Sequence, residues 1–334
     1  MSLNEKTKST LSFILRFGLS LALLVYVFSK IDLRETVEVL KTADPRFIAL
    51  AAIAFVIVNC ILLIRWFILI KALDLTATTK NVILHYFYGL FGNLFLPTAI
   101  GGDILKAVGL CKSSTQKPRV VASILLDRLC GYTSIVTIAV LAFAFGYSYI
   151  NDNSLLVPIV LMGAGSLMIV TILLNEPAYS FFCQAFNRFS RLKNGLMTIH
   201  YDIVLLKESH KSIEAVKAIL LSCVSQIMFV FSYYLIAKAL HQDIAIIYFL
   251  IFIPIICVVS SFPSIGGLGV REVGAVYLFG KIGIVSGIAV SLTLINFLFT
   301  ITVGIIGGVL YVYTLSTGRV QYHPPDAGVE AGKA

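Results

Sequence analysis

Charge is what this sequence has least of. Asp, Glu, Lys and Arg make up 13% of its 334 residues, where a soluble domain carries roughly 25%. Extended polar stretches are also few, which leaves no room for a sizeable soluble enzyme domain. The six cysteines form no C-x-x-C pair, so no disulfide framework is expected. The five histidines show no H-E-x-x-H spacing, and neither a metal nor a cofactor is expected. No ATP-binding phosphate loop is visible, so any transport would be downhill or coupled to an ion gradient or a neighbouring enzyme. Acids number 17 against 26 Lys and Arg, a net charge of +9. The cations sit mainly in short connections between apolar runs, the distribution expected beside anionic headgroups. Nucleic acid is therefore not an expected partner.

What is present instead is a series of long apolar runs. Each approaches or exceeds the roughly 20 residues that cross about 30 Å of hydrocarbon at about 1.5 Å per residue. Spans are expected at 11–28, 47–70, 121–147, 155–174, 213–237 and 282–315, the last as one long tilted helix through Gly307-Gly308. The fold class is all-α, a polytopic transmembrane helical bundle. The first run resembles a signal peptide, but no small-residue cleavage site follows it, so an uncleaved helix is expected. The second is interrupted near its end by Arg65 and Trp66, as expected at a headgroup boundary. Two further runs, 81–100 and 244–262, end in helix breakers and read as re-entrant hairpins. With these hairpins the cytoplasmic side receives 17 Lys and Arg, including a basic connection over 106–119, and the outer side 6. Both termini are then expected in the cytoplasm. Residues 175–212 read as a cytoplasmic connection with interfacial helices, and 319–334 as a flexible tail. Residues 1–318 form one membrane domain.

The breakers echo one another. Pro97-Thr98-Ala99-Ile100-Gly101-Gly102 can be set against Pro263-Ser264-Ile265-Gly266-Gly267 with the glycine pairs aligned, a register that also superposes Lys106 on Arg271. The flanking spans agree with that register, giving repeat-like units over about 47–147 and 213–315. In the expected topology these are inverted repeats, an arrangement that places transporter sites near the bilayer midplane. Backbone freed at Pro97, Gly101, Gly102, Pro263, Gly266, Gly267 and Gly269 must face protein or a wet cavity, because lipid offers it no hydrogen bonds.

That physics proposes an anionic guest, held by backbone N–H groups and by Arg65, Lys106, Arg128 and Arg271. Asn93, Asp103, Asp127 and Glu272 are the supporting polar and ion-pairing residues. Blander roles stay open: Asp127 paired with Arg128 at headgroup level, Arg271 with Glu272 as a structural pair, and Asp103 as a helix cap. No catalytic residue is assigned.

The same residues carry a family resemblance. Asn93-Leu94-Phe95-Leu96-Pro97, Gly101-Gly102-Asp103-Ile104-Leu105-Lys106-Ala107, Leu126-Asp127-Arg128 and Pro263 through Glu272 resemble the lysylphosphatidylglycerol synthase transmembrane, or flippase-like, family, over about residues 10–318. The resemblance implies a prokaryotic cell-membrane protein with two re-entrant elements. In two-domain relatives such a module moves aminoacylated phosphatidylglycerol between leaflets. Only the short tail 319–334 follows Gly318 here, so the cytosolic aminoacyltransferase domain is expected to be absent, and an enzyme is not the leading reading. The expected function is translocation of an anionic phospholipid, an aminoacyl-phospholipid or a polyprenyl-phosphate-linked lipid. An envelope glycosyltransferase or lipid-modifying enzyme is the expected protein partner. The alternatives are a membrane-embedded lipid-phosphate transferase using Asp103, Asp127 or Glu272, and a non-catalytic scaffold for an envelope enzyme.

Overall fold

The computed structural model describes residues 41–95, 101–112, 114, 116–150, 156–184, 197, 200, 201, 204, 212–260 and 269–316. These residues form helices α1 (Pro45–Ala72), α2 (Thr79–Phe95), α3 (Gly101–Lys112), α4 (Lys117–Ile150), α5 (Leu156–Leu174), α6 (Glu176–Gln184), α7 (Ser212–Ala239), α8 (Ile246–Val259), α9 (Val270–Gly280) and α10 (Ser286–Ser316). Among the described residues there is no strand. The first expected span at 11–28, Pro97, Pro263, Gly266, Gly267 and the tail lie outside the described residues.

Among the described residues four helices are long and apolar enough to cross a membrane: α1, α4, α7 and α10. Their large side chains stand exposed at many positions, among them Ile53, Val56, Val140, Leu220, Val224, Ile305 and Val309. In water this would be an aggregating surface; against lipid tails it is the ordinary outer face of a span. The protein is a multi-pass membrane protein. Helix α5 is apolar on nearly all sides, with Val157, Leu161, Leu167 and Met168 exposed. Helix α6 follows α5 at once, its start capped by the Asn175 side chain, which accepts from the Ala178 N–H at 3.1 Å. Phe181 of α6 is 75% exposed; the cations at 188–193 lie outside the described residues.

Two expectations need correcting here. Arg65 and Trp66 do not interrupt α1, which continues to Ala72, and both side chains are buried. The basic connection at 106–119 is mostly helix: α3 runs to Lys112, α4 starts at Lys117, and Lys106 is buried. The chain resolves its Lys106 cation by folding it inward on α3 rather than leaving it at the surface. The glycine pair in the last span does not break it. A Cβ at Gly307 would lie 2.2 Å from the Phe87 carbonyl oxygen, so the missing side chain lets α10 lie against α2, as small residues do between membrane helices.

The element order repeats. Helices α1–α4 start at 45, 79, 101 and 117, and α7–α10 start at 212, 246, 270 and 286, so each helix stands at nearly the same separation from its counterpart. Helices α1 and α7 also end alike. Lys71-Ala72-Leu73-Asp74 and Lys238-Ala239-Leu240-His241 close with a left-handed residue, Asp74 at φ 52° and His241 at φ 57°. In each cap the following N–H reaches back to the same carbonyl position, Leu75 to Ile70 at 3.1 Å and Gln242 to Ala237 at 2.9 Å. That pattern satisfies carbonyls left over at a helix end.

Helices α1 and α7 pack side by side and antiparallel. Asp44 N–H donates to the Ala239 carbonyl at 2.9 Å, Ser232 Oγ to the Ala51 carbonyl at 3.0 Å, and Arg65 to Ser222 Oγ at 3.0 Å. Residue numbers rise along one helix as they fall along the other. Around this pair the packing crosses over, with α2 against α10 and α8 against α4. Among the described residues two large apolar cores result, beside two small clusters. One, built mainly by α7–α10 with the start of α1, centres on Tyr233, Phe249, Phe252 and Phe279. The other centres on Trp66, Ile70, Val82, Tyr86 and Leu110.

Candidate functional site

Along α1 the residues Phe55, Val58, Asn59, Leu62 and Arg65 line a cavity of about 440 Å³. Their three- and four-residue spacing makes them one helical stripe. Helix α7 supplies the facing stripe of Ser225, Gln226, Phe229 and Tyr233. Helices α2, α3 and α4 contribute Asn93, Asp103, Lys106, Asp127 and Arg128, while Arg271 opens α9 and Asn296 sits on α10.

The charges are ordered by ion pairs between helices. Arg65 Nε donates to Asp127 Oδ1 at 2.7 Å, tying α1 to α4, with side chains only 7% and 10% exposed. Arg128, the next residue on α4, pairs instead with Asp103 of α3. Neighbours on a helix point about 100° apart, so Asp127 and Arg128 reach different partners, and the headgroup-level pair between them does not form. Asp103 is the third residue of α3, not its cap, and its other oxygen stands 4.0 Å from the Lys106 ammonium.

Lys106 is held by rings as well as by charge. Its Nζ lies 5.1 Å from a ring centroid of Trp66 and 4.9 Å from that of Tyr86, distances at which a desolvated cation gains from the ring face. Trp66 is fully buried, its indole N–H directed at Ser123 Oγ at 3.4 Å.

Backbone close approach builds this end of the site. The Gly102 N–H donates to Asn93 Oδ1 at 3.0 Å. A Cβ at Gly102 would sit 2.2 Å from the Gly89 carbonyl oxygen. Only glycine permits α2 and α3 to meet so closely. Asn93 thus anchors the start of α3 and, through it, Asp103 and Lys106.

At the other end Arg271 and Glu272 form the structural pair. Glu272 Oε1 accepts from Arg271 Nη2 at 2.7 Å and Nε at 3.1 Å, and Oε2 accepts the Gly269 N–H at 2.6 Å. Gly269 adopts φ +84°, a conformation that glycine enters without strain. Glu272 is fully buried behind the wall while Arg271 reaches the cavity, its guanidinium 4.9 Å from the Phe297 centroid.

The family described as lysylphosphatidylglycerol synthase TM region matches residues 13–308 of the chain. The chain belongs to this family. A UPF0104 membrane protein of Pyrococcus horikoshii is 28% identical over 166 residues, covering 49% of this chain and 48% of that protein. A UPF0104 membrane protein of Methanocaldococcus jannaschii is 36% identical over 96 residues, covering 29% of this chain and 27% of that protein. The matches thus span half or less of these relatives' own length. No solved structure matches the chain.

In this member of the lysylphosphatidylglycerol synthase transmembrane family, the four cations singled out from the sequence all line one cavity, with Asn93, Asp103 and Asp127. Gln226 and Asn296 were not among the candidates. Both are more than nine-tenths buried and line the cavity, yet the amide nitrogen of each is without a hydrogen-bond partner. An Asn in the middle of the apolar run 282–315 was the visible signal, since an amide inside a span is costly. Gln226 gave the same signal within 213–237.

Proposed function

We propose that this chain moves the phosphate-bearing headgroup of an anionic lipid across the bilayer through the cavity between its two four-helix units. One observation carries the reading: Arg65, Lys106 and Arg128 from one unit and Arg271 from the other line a single cavity within a bundle whose outer face is apolar. Charges are expensive at membrane depth and are retained chiefly where they serve a guest or pathway. The two units are proposed to be inverted repeats. The shared helix order, the matched end caps of α1 and α7, and their antiparallel packing support this. Alternating access would then exchange the roles of the units, with the runs 81–100 and 244–262 that the sequence marks as re-entrant hairpins as the gates. The proposed setting is a prokaryotic plasma membrane with both termini cytoplasmic, beside an envelope glycosyltransferase or lipid-modifying enzyme that makes or consumes the lipid. A lipid-phosphate transferase is less well supported, because Asp103, Asp127 and Glu272 are each bonded to a cation rather than free to act as a base.

The test is leaflet exchange in sealed vesicles holding the purified protein, with acyl-labelled phosphatidylglycerol and a polyprenyl phosphate as probes. Acceleration of at least one over protein-free vesicles is expected, with loss in Lys106→Met. No acceleration of either would remove the transport reading.

A further inference from the structure

Among the described residues Lys106 is the one lysine that lines the cavity, and its charge is the least compensated there. Arg65 pairs with Asp127, Arg128 with Asp103, and Arg271 with Glu272. Lys106 has the 4.0 Å approach to Asp103 and the faces of Trp66 and Tyr86. Its stem lies against Gly89, where a Cβ would stand 2.5 Å from Lys106 Cε. Four cations thus meet three carboxylates, and the neighbouring segments 96–100 and 261–268 hold no charged residue. An entering anion acts differently on each kind of group. Guanidinium groups keep their protons at any working pH, and each carboxylate is held ionised by one. The phenols of Tyr86, Tyr132 and Tyr233 and the thiol of Cys257 also line the cavity. They are protonated near neutral pH, and an anion only strengthens that state. An ammonium away from water and short of a counter-charge gives up its proton readily, and an anion beside it restores the proton. Lys106 is therefore the cavity group whose protonation follows the guest.

From this we infer that Lys106 is a proton-coupling site, at which a headgroup phosphate and a proton enter the cavity together and leave it together. On the loading side the Lys106 amine takes a proton from water as the phosphate arrives. On the releasing side the ammonium returns that proton to water as the phosphate departs. No bond to the phosphate forms or breaks, and a phosphodiester and its proton cross with no net charge. The pH at which this happens is set by the groups around Lys106. Asp103 of α3, Asp127 of α4 and the rings of Trp66 and Tyr86 favour the ammonium, whereas Arg65 of α1 and Arg128 of α4 oppose it. His85 of α2 packs on Gly109, about one turn along α3 from Lys106, and is the neighbouring side chain that ordinarily titrates near neutral pH. The inference rests on the lipid-headgroup reading above and supplies its driving force, a proton gradient.

The experiment counts protons taken up per headgroup bound, by titration calorimetry of the full chain in detergent micelles in buffers of differing ionisation enthalpy. The probe is short-chain phosphatidylglycerol, whose phosphodiester stays ionised throughout. The pH runs from about 6 to about 10, the range that buried and free lysines span. Uptake is expected to peak at up to about one proton within that window, with affinity falling by up to about tenfold per pH unit across it. Lys106→Arg, permanently charged, is expected to take up no proton at whatever affinity it retains, and His85→Gln to take up as many as the unaltered protein. In sealed vesicles, a gradient that is acid on the loading side is expected to speed leaflet exchange of acyl-labelled phosphatidylglycerol severalfold. Absence of uptake by the unaltered protein at every pH overturns the inference and needs no variant to do so. Uptake that persists in Lys106→Arg, or that is lost in His85→Gln with binding retained, overturns Lys106 as the carrier. Exchange that ignores the gradient overturns the coupling and leaves transport standing. Proton uptake on binding with no exchange in vesicles removes transport and leaves Lys106 a proton-linked phosphate site. Glycerophosphoglycerol, the headgroup without acyl chains, binding as tightly as the lipid removes the lipid as the source of the phosphate.

Discussion

Replacing Asp127 by Asn removes the counter-charge of Arg65 while keeping the side chain's shape. Both side chains are at most 10% exposed and their atoms are 2.7 Å apart. At an effective dielectric of about 20 the direct attraction is about 6 kcal/mol, and much of it is offset by the desolvation of both ions. What survives is an asymmetry: stranding one member of a buried pair costs about 3–5 kcal/mol, whereas replacing both by apolar groups of similar volume is nearly neutral. Asp127→Asn is therefore expected to lower stability by about 3–5 kcal/mol, and Arg65→Met/Asp127→Leu by less than Asp127→Asn alone. The measurement is chemical unfolding in mixed micelles, followed by Trp66 emission and far-ultraviolet circular dichroism, closed as a double-mutant cycle. Ser222→Ala, which removes the acceptor of the second Arg65 bond at 3.0 Å, is expected to cost about 1 kcal/mol. Strictly additive losses, or an Asp127→Asn effect below about 0.5 kcal/mol, would show the pair to be solvated and refute the buried-site reasoning.

Four further outcomes are expected. Gly102→Ala drives a Cβ to 2.2 Å from the Gly89 carbonyl oxygen and should cost at least about 1–3 kcal/mol; an unchanged melting temperature would deny the α2–α3 approach. Gly307→Ala, whose Cβ meets the Phe87 carbonyl oxygen at 2.2 Å, should destabilise similarly. Gly165→Ala on α5, with nothing within 4 Å, should instead raise stability by up to about 1 kcal/mol, and the reverse order would refute the packing. Ser225→Cys in the cavity should react with a charged, water-soluble thiosulfonate in a background where Cys60 is retained. Cys60 faces outward from a span and should stay unreactive, so labelling of Cys60 but not of the introduced thiol would invert the assignment of lipid and water faces.

The membrane environment was legible because hydropathy is additive along the chain: α1, α4, α7 and α10 fall within a few residues of the expected runs at 47–70, 121–147, 213–237 and 282–315. The burial of Lys106 on a helix, and the partners of Arg65 and Arg128, were not legible. A cation beside Gly101-Gly102 reads as a connection because sequence alone does not tell which way a short helix turns. Whether Asp127 meets Arg128 or Arg65 depends on helix rotation and on which helix lies alongside. The likeness of the ends of α1 and α7 was also available, as Lys-Ala-Leu at 71–73 and 238–240. It is short and slightly out of register with the alignment of the glycine pairs, so it gains weight only once both copies close with the same left-handed cap.

The likeness of the two units makes the difference in their chemistry informative. At the level of backbone, α1–α4 and α7–α10 follow the same order, and Lys106 and Arg271 hold corresponding places when the glycine pairs are aligned. Around Lys106 the first unit gathers Arg65, Asp103, Asp127 and Arg128, whereas Arg271 of the second is paired with its own Glu272 and stands over the Phe297 ring. Arg271 is neutralised within its own turn, so the surplus charge falls to the Lys106 end. Backbone copies in opposite senses can exchange access between leaflets, whereas side chains that differ between the copies cannot be exchanged. The proposed alternation of access would therefore rest on the shared helix order, and the choice of guest on the charges gathered at the Lys106 end.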